Sequence, residues 1–191
     1  MKKMTFLSLL YLVTGLFSGI ASAHSGHGPT SAYAGFIHPL TGIDHLLVML
    51  AVGWWAAKLG GKARWQLPVV FVFFMAVGAI FGLNLGGNNE LEMLIAISLI
   101  AMGVLLSARV VMNQMWQFSI VASFAIVHGL AHGVELQTQV QWSGLLAMMV
   151  ATALLHAFGY WFGTQRQEIF ARLQQAFAMG MVMMGAYLLT T

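Results

Sequence analysis

Six long apolar runs, each separated from the next by a short polar or glycine-rich connector, organise the chain. They cover roughly residues 36–57, 67–86, 91–108, 116–134, 142–163 and 169–189. The connectors read KLGGKARWQ, GGNNE, RVVMNQ, ELQTQVQ and TQRQE, and none is long enough for a separate domain. A helix needs about 20 apolar residues to cross the bilayer core, which each run approaches. None of the runs alternates with the period of two that a strand requires. Backbone groups in lipid must bond within the spanning structure, so only helices or closed barrels cross it. The pattern predicts an all-α, polytopic membrane protein with six transmembrane helices.

Composition strengthens that reading. The chain is 60% hydrophobic and only 7% charged, whereas a soluble domain carries about 25% charged residues. The lipid bilayer is therefore the first partner, and a homo-oligomer within it stays open. Eight Lys and Arg against five Asp and Glu are too few and too scattered for a nucleic-acid surface. With no cysteine, disulfides, thiolate metal sites and Cys nucleophiles are excluded.

The opening MKKMTFLSLLYLVTGLFSGIASAHSGHG has a basic start at Lys2 and Lys3, an apolar stretch and an Ala-Ser-Ala box. This is the pattern of a cleavable signal peptide, predicted at residues 1–23. The alternative is an uncleaved first helix. Cleavage would leave an extracytoplasmic, His-containing segment at 24–35 and a six-helix membrane domain at 36–191.

Charge sets the orientation. Lys58, Lys62 and Arg64 follow the first run, Arg109 the third, and Arg166 and Arg172 the fifth. The connectors after the second and fourth runs carry no Lys or Arg, and Glu90, Glu92 and Glu135 lie at those ends. Basic loops stay in the cytoplasm, so the mature N-terminus is predicted outside, which an exporting signal requires as well. Six helices can also divide into two inverted halves of three, a common transporter plan. The first run opens with HPLTGIDH and the fourth closes with HGLAHGVE.

Ionisable residues within membrane helices are costly and mark pathways or sites. His128 and His132 are spaced i, i+4 and share one helix face, a natural bidentate metal pair, with Glu135 three residues on. Gly129 and Gly133 admit a close neighbour. The plainer reading is two packing histidines bonded to backbone. In HPLTGIDH, Pro39 suits a first helical turn and Thr41 to Asp44 spells a capping box with Asp for Glu, so Asp44 has a structural explanation as well as a ligand role. His38 and His45 would stand about 10 Å apart along an unbroken helix. They cannot clasp one ion unless Pro39 and Gly42 break it; otherwise His38 belongs to an outer gate.

The predicted topology sets Asp44, His45, His132 and Glu135 at similar depth in the outer half. His128 lies about a turn deeper and His156 deeper still, so the groups form an inward path. The plain alternative for His156 is a packed ring near Tyr160. Imidazole with carboxylate and no thiolate suits Ni²⁺, Co²⁺, Zn²⁺ or Cu²⁺. His24 and His27 would give the mature tail an amine and two rings for capturing a divalent ion. The fourteen methionines are spread through the helices and read as packing or lipid contact rather than a Cu(I) path.

HPLTGIDH, HGLAHG and LHAFGYWFG, after a signal-like leader with a histidine right behind it, resemble the HupE/UreJ family over essentially the whole mature chain. The resemblance implies a secondary permease in a bacterial inner membrane, carrying nickel or, in some members, cobalt, with an indirect link to urease or hydrogenase maturation. It assigns His38, Asp44 and His45 to the first motif and His128 and His132 to the second. Zn²⁺ or Cu²⁺ fits less well, and no permanent cofactor is implied. No GxxxxGK[ST] stretch is present, so the chain is not its own ATPase. Two rivals remain. One is an intramembrane metal-dependent hydrolase, for which the chain has no HExxH motif. The other is a metal-sensing or chaperone subunit using the HSGH tail.

Overall fold

A computed structural model describes residues 31–85, 89–108, 110, 112–136 and 142–190. The predicted signal peptide, His24, His27 and Arg109 lie outside them. The described residues form seven helices: α1 (Ala32–Thr41), α2 (Ile43–Leu59), α3 (Ala63–Gly82), α4 (Asn89–Ser107), α5 (Gln114–Leu136), α6 (Trp142–Thr164) and α7 (Glu168–Leu188). The last five coincide with the last five apolar runs.

The first run differs, because it is two helices bent by 82°. Pro39 lies inside α1 and cannot donate a hydrogen bond to the preceding turn. Two residues later the chain leaves the helix, with Gly42 extended at φ −77°, ψ 107°. Thr41 Oγ1 donates to the His38 carbonyl at 2.9 Å and so closes α1. The expected capping box therefore does not form. Gly42 begins α2 without a side-chain cap, and Asp44 Oδ1 accepts from the amide of its neighbour His45 at 2.8 Å.

On length and apolarity, α3, α4, α5 and α6 can each cross a membrane, and α1 with α2 makes a fifth span. Helix α7 has 21 residues, but Glu168, Arg172, Gln174 and Gln175 fill its first turns and hold down its hydropathy. The fold is that of a multi-pass membrane protein, as its exterior also indicates. Leu146, Val150, Leu154 and Phe158 line one exposed face of α6 at four-residue spacing, while Met148, Ala151, Thr152 and His156 on its other face are buried. Trp65, Trp116 and Trp161 are exposed near one set of helix ends, and Tyr33, Trp142 and Tyr187 near the other. Aromatic residues gather in this way at the two membrane–water interfaces.

Helix α2 is the centre. Its buried residues run from His45 through Val48, Met49 and Val52 to Ala56 and point in every direction, which is why its sequence shows no polar stripe. Around it the helices pack most extensively as α2 with α6, α3 with α5, and α4 with α7. Water expulsion does not drive this association inside lipid; backbone approach through small residues does. A Cβ on Gly78 would collide with the Ile126 carbonyl, and one on Gly129 with that of Met75. Between α2 and α6, Gly53 meets the His156 carbonyl and Gly159 that of Leu50. Between α4 and α7, Gly103 meets the Ala178 carbonyl and Gly185 that of Ala96. At the end where α3 and α5 begin, Gln114 donates to Gln66 at 2.9 Å.

Candidate metal centre

The bend at Gly42 decides which side chains meet. It carries α1 away from the axis of α2 and against the start of α6, where Gly35 faces Gly144, and it returns His38 toward α5. Four imidazoles from α1, α2 and α5 then form a continuous series. Ring centroids lie 5.0 Å apart from His38 to His132, 4.6 Å from His132 to His45 and 5.0 Å from His45 to His128. His38 and His45 are themselves 6.3 Å apart. The broken-helix alternative is thus the one realised, and His38 joins the cluster instead of standing at a separate gate.

Each buried ring has one nitrogen committed. Nδ1 of His45 bonds Asp44 Oδ1 at 2.9 Å. His128 Nδ1 donates to the Phe124 carbonyl at 2.9 Å. His132 Nδ1 meets Glu135 Oε2 at 3.2 Å, and the same oxygen lies 2.9 Å from His38 Nε2. The other nitrogen, Nε2 of His45, His128 and His132, is buried with no hydrogen-bond partner. Leaving a buried polar atom unpaired costs about 1–3 kcal/mol, so three at one place form a donor set open to a ligand. Imidazoles that bind metal show this arrangement, with one nitrogen held by a carboxylate or carbonyl and the other free.

Spacing agrees with that role. With metal–nitrogen bonds of about 2.0–2.1 Å, imidazoles on one ion hold their centroids about 4.5–5 Å apart at right to tetrahedral angles. The His132–His45 and His45–His128 separations fall in that range. A second donor set overlaps the first: ligand atoms of His38, His132 and Glu135 lie within 4.8 Å of one another. His38 and Glu135 each keep 27% side-chain exposure, whereas His128 and His132 have none. The site thus grades from a solvent-reached outer set to a buried inner one, with His132 in both.

Two sequence expectations are refined. Asp44, read as a ligand, sits behind His45 and fixes its ring. Glu135, read as a lesser candidate at a helix end, holds two of the histidines. His156 stands apart from the four-ring cluster; its Nδ1 donates to the Met49 carbonyl at 2.6 Å. Phe71 of α3 was not singled out from the sequence, yet its ring packs against both His128 and His156. One of thirteen phenylalanines in apolar runs carries no signal that would have found it.

A family model described as HupE / UreJ protein matches residues 11–188. Protein HupE of Rhizobium leguminosarum bv. viciae is 38% identical over 141 residues, which is 73% of this chain and 74% of that protein. No solved structure matches the chain.

Proposed function

The chain belongs to the HupE/UreJ family, generally one of nickel and cobalt transporters, and we propose that it is a secondary permease importing a divalent transition metal, nickel first and cobalt next. The observation that carries this reading is the set of three buried, unpartnered Nε2 atoms on His45, His128 and His132. A neutral imidazole set backed by carboxylates suits Ni²⁺ and Co²⁺. The partly exposed pair His38 and Glu135 would receive the ion, and His132 would pass it inward. A hydrolase would need a free general base beside the metal, and both carboxylates at this site are bonded to histidines.

The permease would have six spans, with α2 and α7 completing the four strongest, the mature N-terminus outside and an inner bacterial membrane around it. Positive residues at Lys58, Lys62, Arg64, Arg166 and Arg172 favour that orientation. The glycine contacts favour an inverted repeat. Mapping α2, α3 and α4 onto α5, α6 and α7 in order turns the α2–α6 pair into α5–α3 and returns α4–α7 to itself. The contacts follow this mapping. Gly53 and Gly159 cross reciprocally with three-residue offsets, as do Gly78 and Gly129, and Gly103 and Gly185 cross with seven-residue offsets on both helices.

The test is uptake of radioactive nickel and cobalt into proteoliposomes holding the purified chain. Wild type is expected to accumulate metal, and His45→Ala and His132→Ala to lose at least ten-fold of the initial rate. Binding without any uptake by wild type would rule the permease out.

A further inference from the structure

We propose that His156 is a second, inner stopping point for the transported metal, and that the Phe71 ring divides it from the His128 site. The proposal rests on the permease reading and concerns the step after the outer cluster.

His156 is fully buried, and its Nε2 has no partner. The bond from Nδ1 to the Met49 carbonyl puts the proton on Nδ1, since a carbonyl can only accept. Nε2 therefore presents a bare lone pair. This is the condition of His128, whose Nδ1 is spent on the Phe124 carbonyl. A histidine kept for packing would find partners for both nitrogens, because buried polar atoms are almost always satisfied. Two rings in the same state, on different helices, are separated by one aromatic side chain. Phe71 stands 5.8 Å from His128 and 4.9 Å from His156 between centroids, edge-on to both.

Depth places His156 on the inward side. Met49, which holds it, is one turn past His45 along α2, about 6 Å at 1.5 Å per residue. The surroundings at that level are closed: Met49, Phe71, Met75 and Thr152 have no exposure, and Thr152 Oγ1 points its proton at Met75 Sδ at 3.8 Å. An ion leaving His128 has the Phe71 ring in its way and the His156 lone pair beyond it. Rotation of that ring would exchange one imidazole for the other without exposing the ion to lipid.

His156→Asn supplies the test, because its amide can keep a donor near the position of Nδ1 while removing Nε2. Equilibrium binding of Ni²⁺ to the purified chain and initial uptake into proteoliposomes are both measured. The expected result is wild-type binding with uptake reduced ten-fold or more. Wild-type uptake by His156→Asn overturns the inner stop, and so does joint loss of binding, which would make His156 a support of the outer site. Phe71→Leu covers the case in which the asparagine variant does not fold. It is expected to raise the initial rate several-fold, and an unchanged or lower rate overturns the dividing role. Absence of uptake by wild type refutes the permease instead, so the two failures are distinguishable.

Discussion

Replacing Asp44 by asparagine keeps the size of the side chain and removes the charge that holds His45 Nδ1. Loss of such a partner behind a metal-binding histidine costs roughly 10–100-fold in affinity. Titration of Asp44→Asn with Ni²⁺ should show a Kd raised by that factor, with helical content by circular dichroism unchanged. Glu135→Gln should fall in the same range, since its oxygen serves His38 and His132 together. Acid works in the same direction: an imidazole nitrogen can bind metal only when deprotonated, so Ni²⁺ affinity measured by equilibrium dialysis should fall as pH is lowered. The pairing of His128 with His132 was legible because i, i+4 spacing in an apolar run has few other uses. The backing roles were not, because Asp44 looked equally like a helix cap, and Phe71 looked like any other apolar residue.

Helices were legible from apolar length, to within a few residues at most ends. What the runs could not show is the direction of the chain at Gly42, where an extended residue turns two helices through 82°. Pro39 and Gly42 signalled a break, but the return of His38 onto α5 depends on α1 finding a seat against α6 at Gly144. That seat is a property of two distant segments. A Cβ on Gly42 would sit 3.2 Å from Asp44 Oδ1 and 3.3 Å from His45 Nδ1. Its backbone angles suit alanine, so Gly42→Ala should fold and lose several-fold in Ni²⁺ affinity by disturbing that pair. Gly129→Ala belongs to a different class. Its Cβ meets backbone of α3 on three sides, and overpacking of this kind costs about 1–3 kcal/mol, to be read as a lowered melting temperature in detergent.

For the whole molecule, the charge pattern favours the orientation proposed above, and the absence of cysteine makes the chain ready for labelling. Single cysteines at Ser31 and Thr190 are expected to react with a membrane-impermeant maleimide on spheroplasts whose membrane is intact. Cysteines at Lys62 and Gln165 should react only after permeabilisation. The reverse pattern would invert the proposed orientation. The number of runs and their charges could be read directly, whereas the partners of each helix could not, since every run contains small residues and none names its mate. That partnership has a mechanical consequence. The glycine contacts clamp α2 to α6 and α3 to α5 as two stiff jaws, and the site is shared between them. His45 and His156 ride on one jaw with His38 joined to it through α1, while Phe71, His128, His132 and Glu135 ride on the other. A few ångströms of slip along the seam would part His45 from His128 and His132 while every helix stays intact.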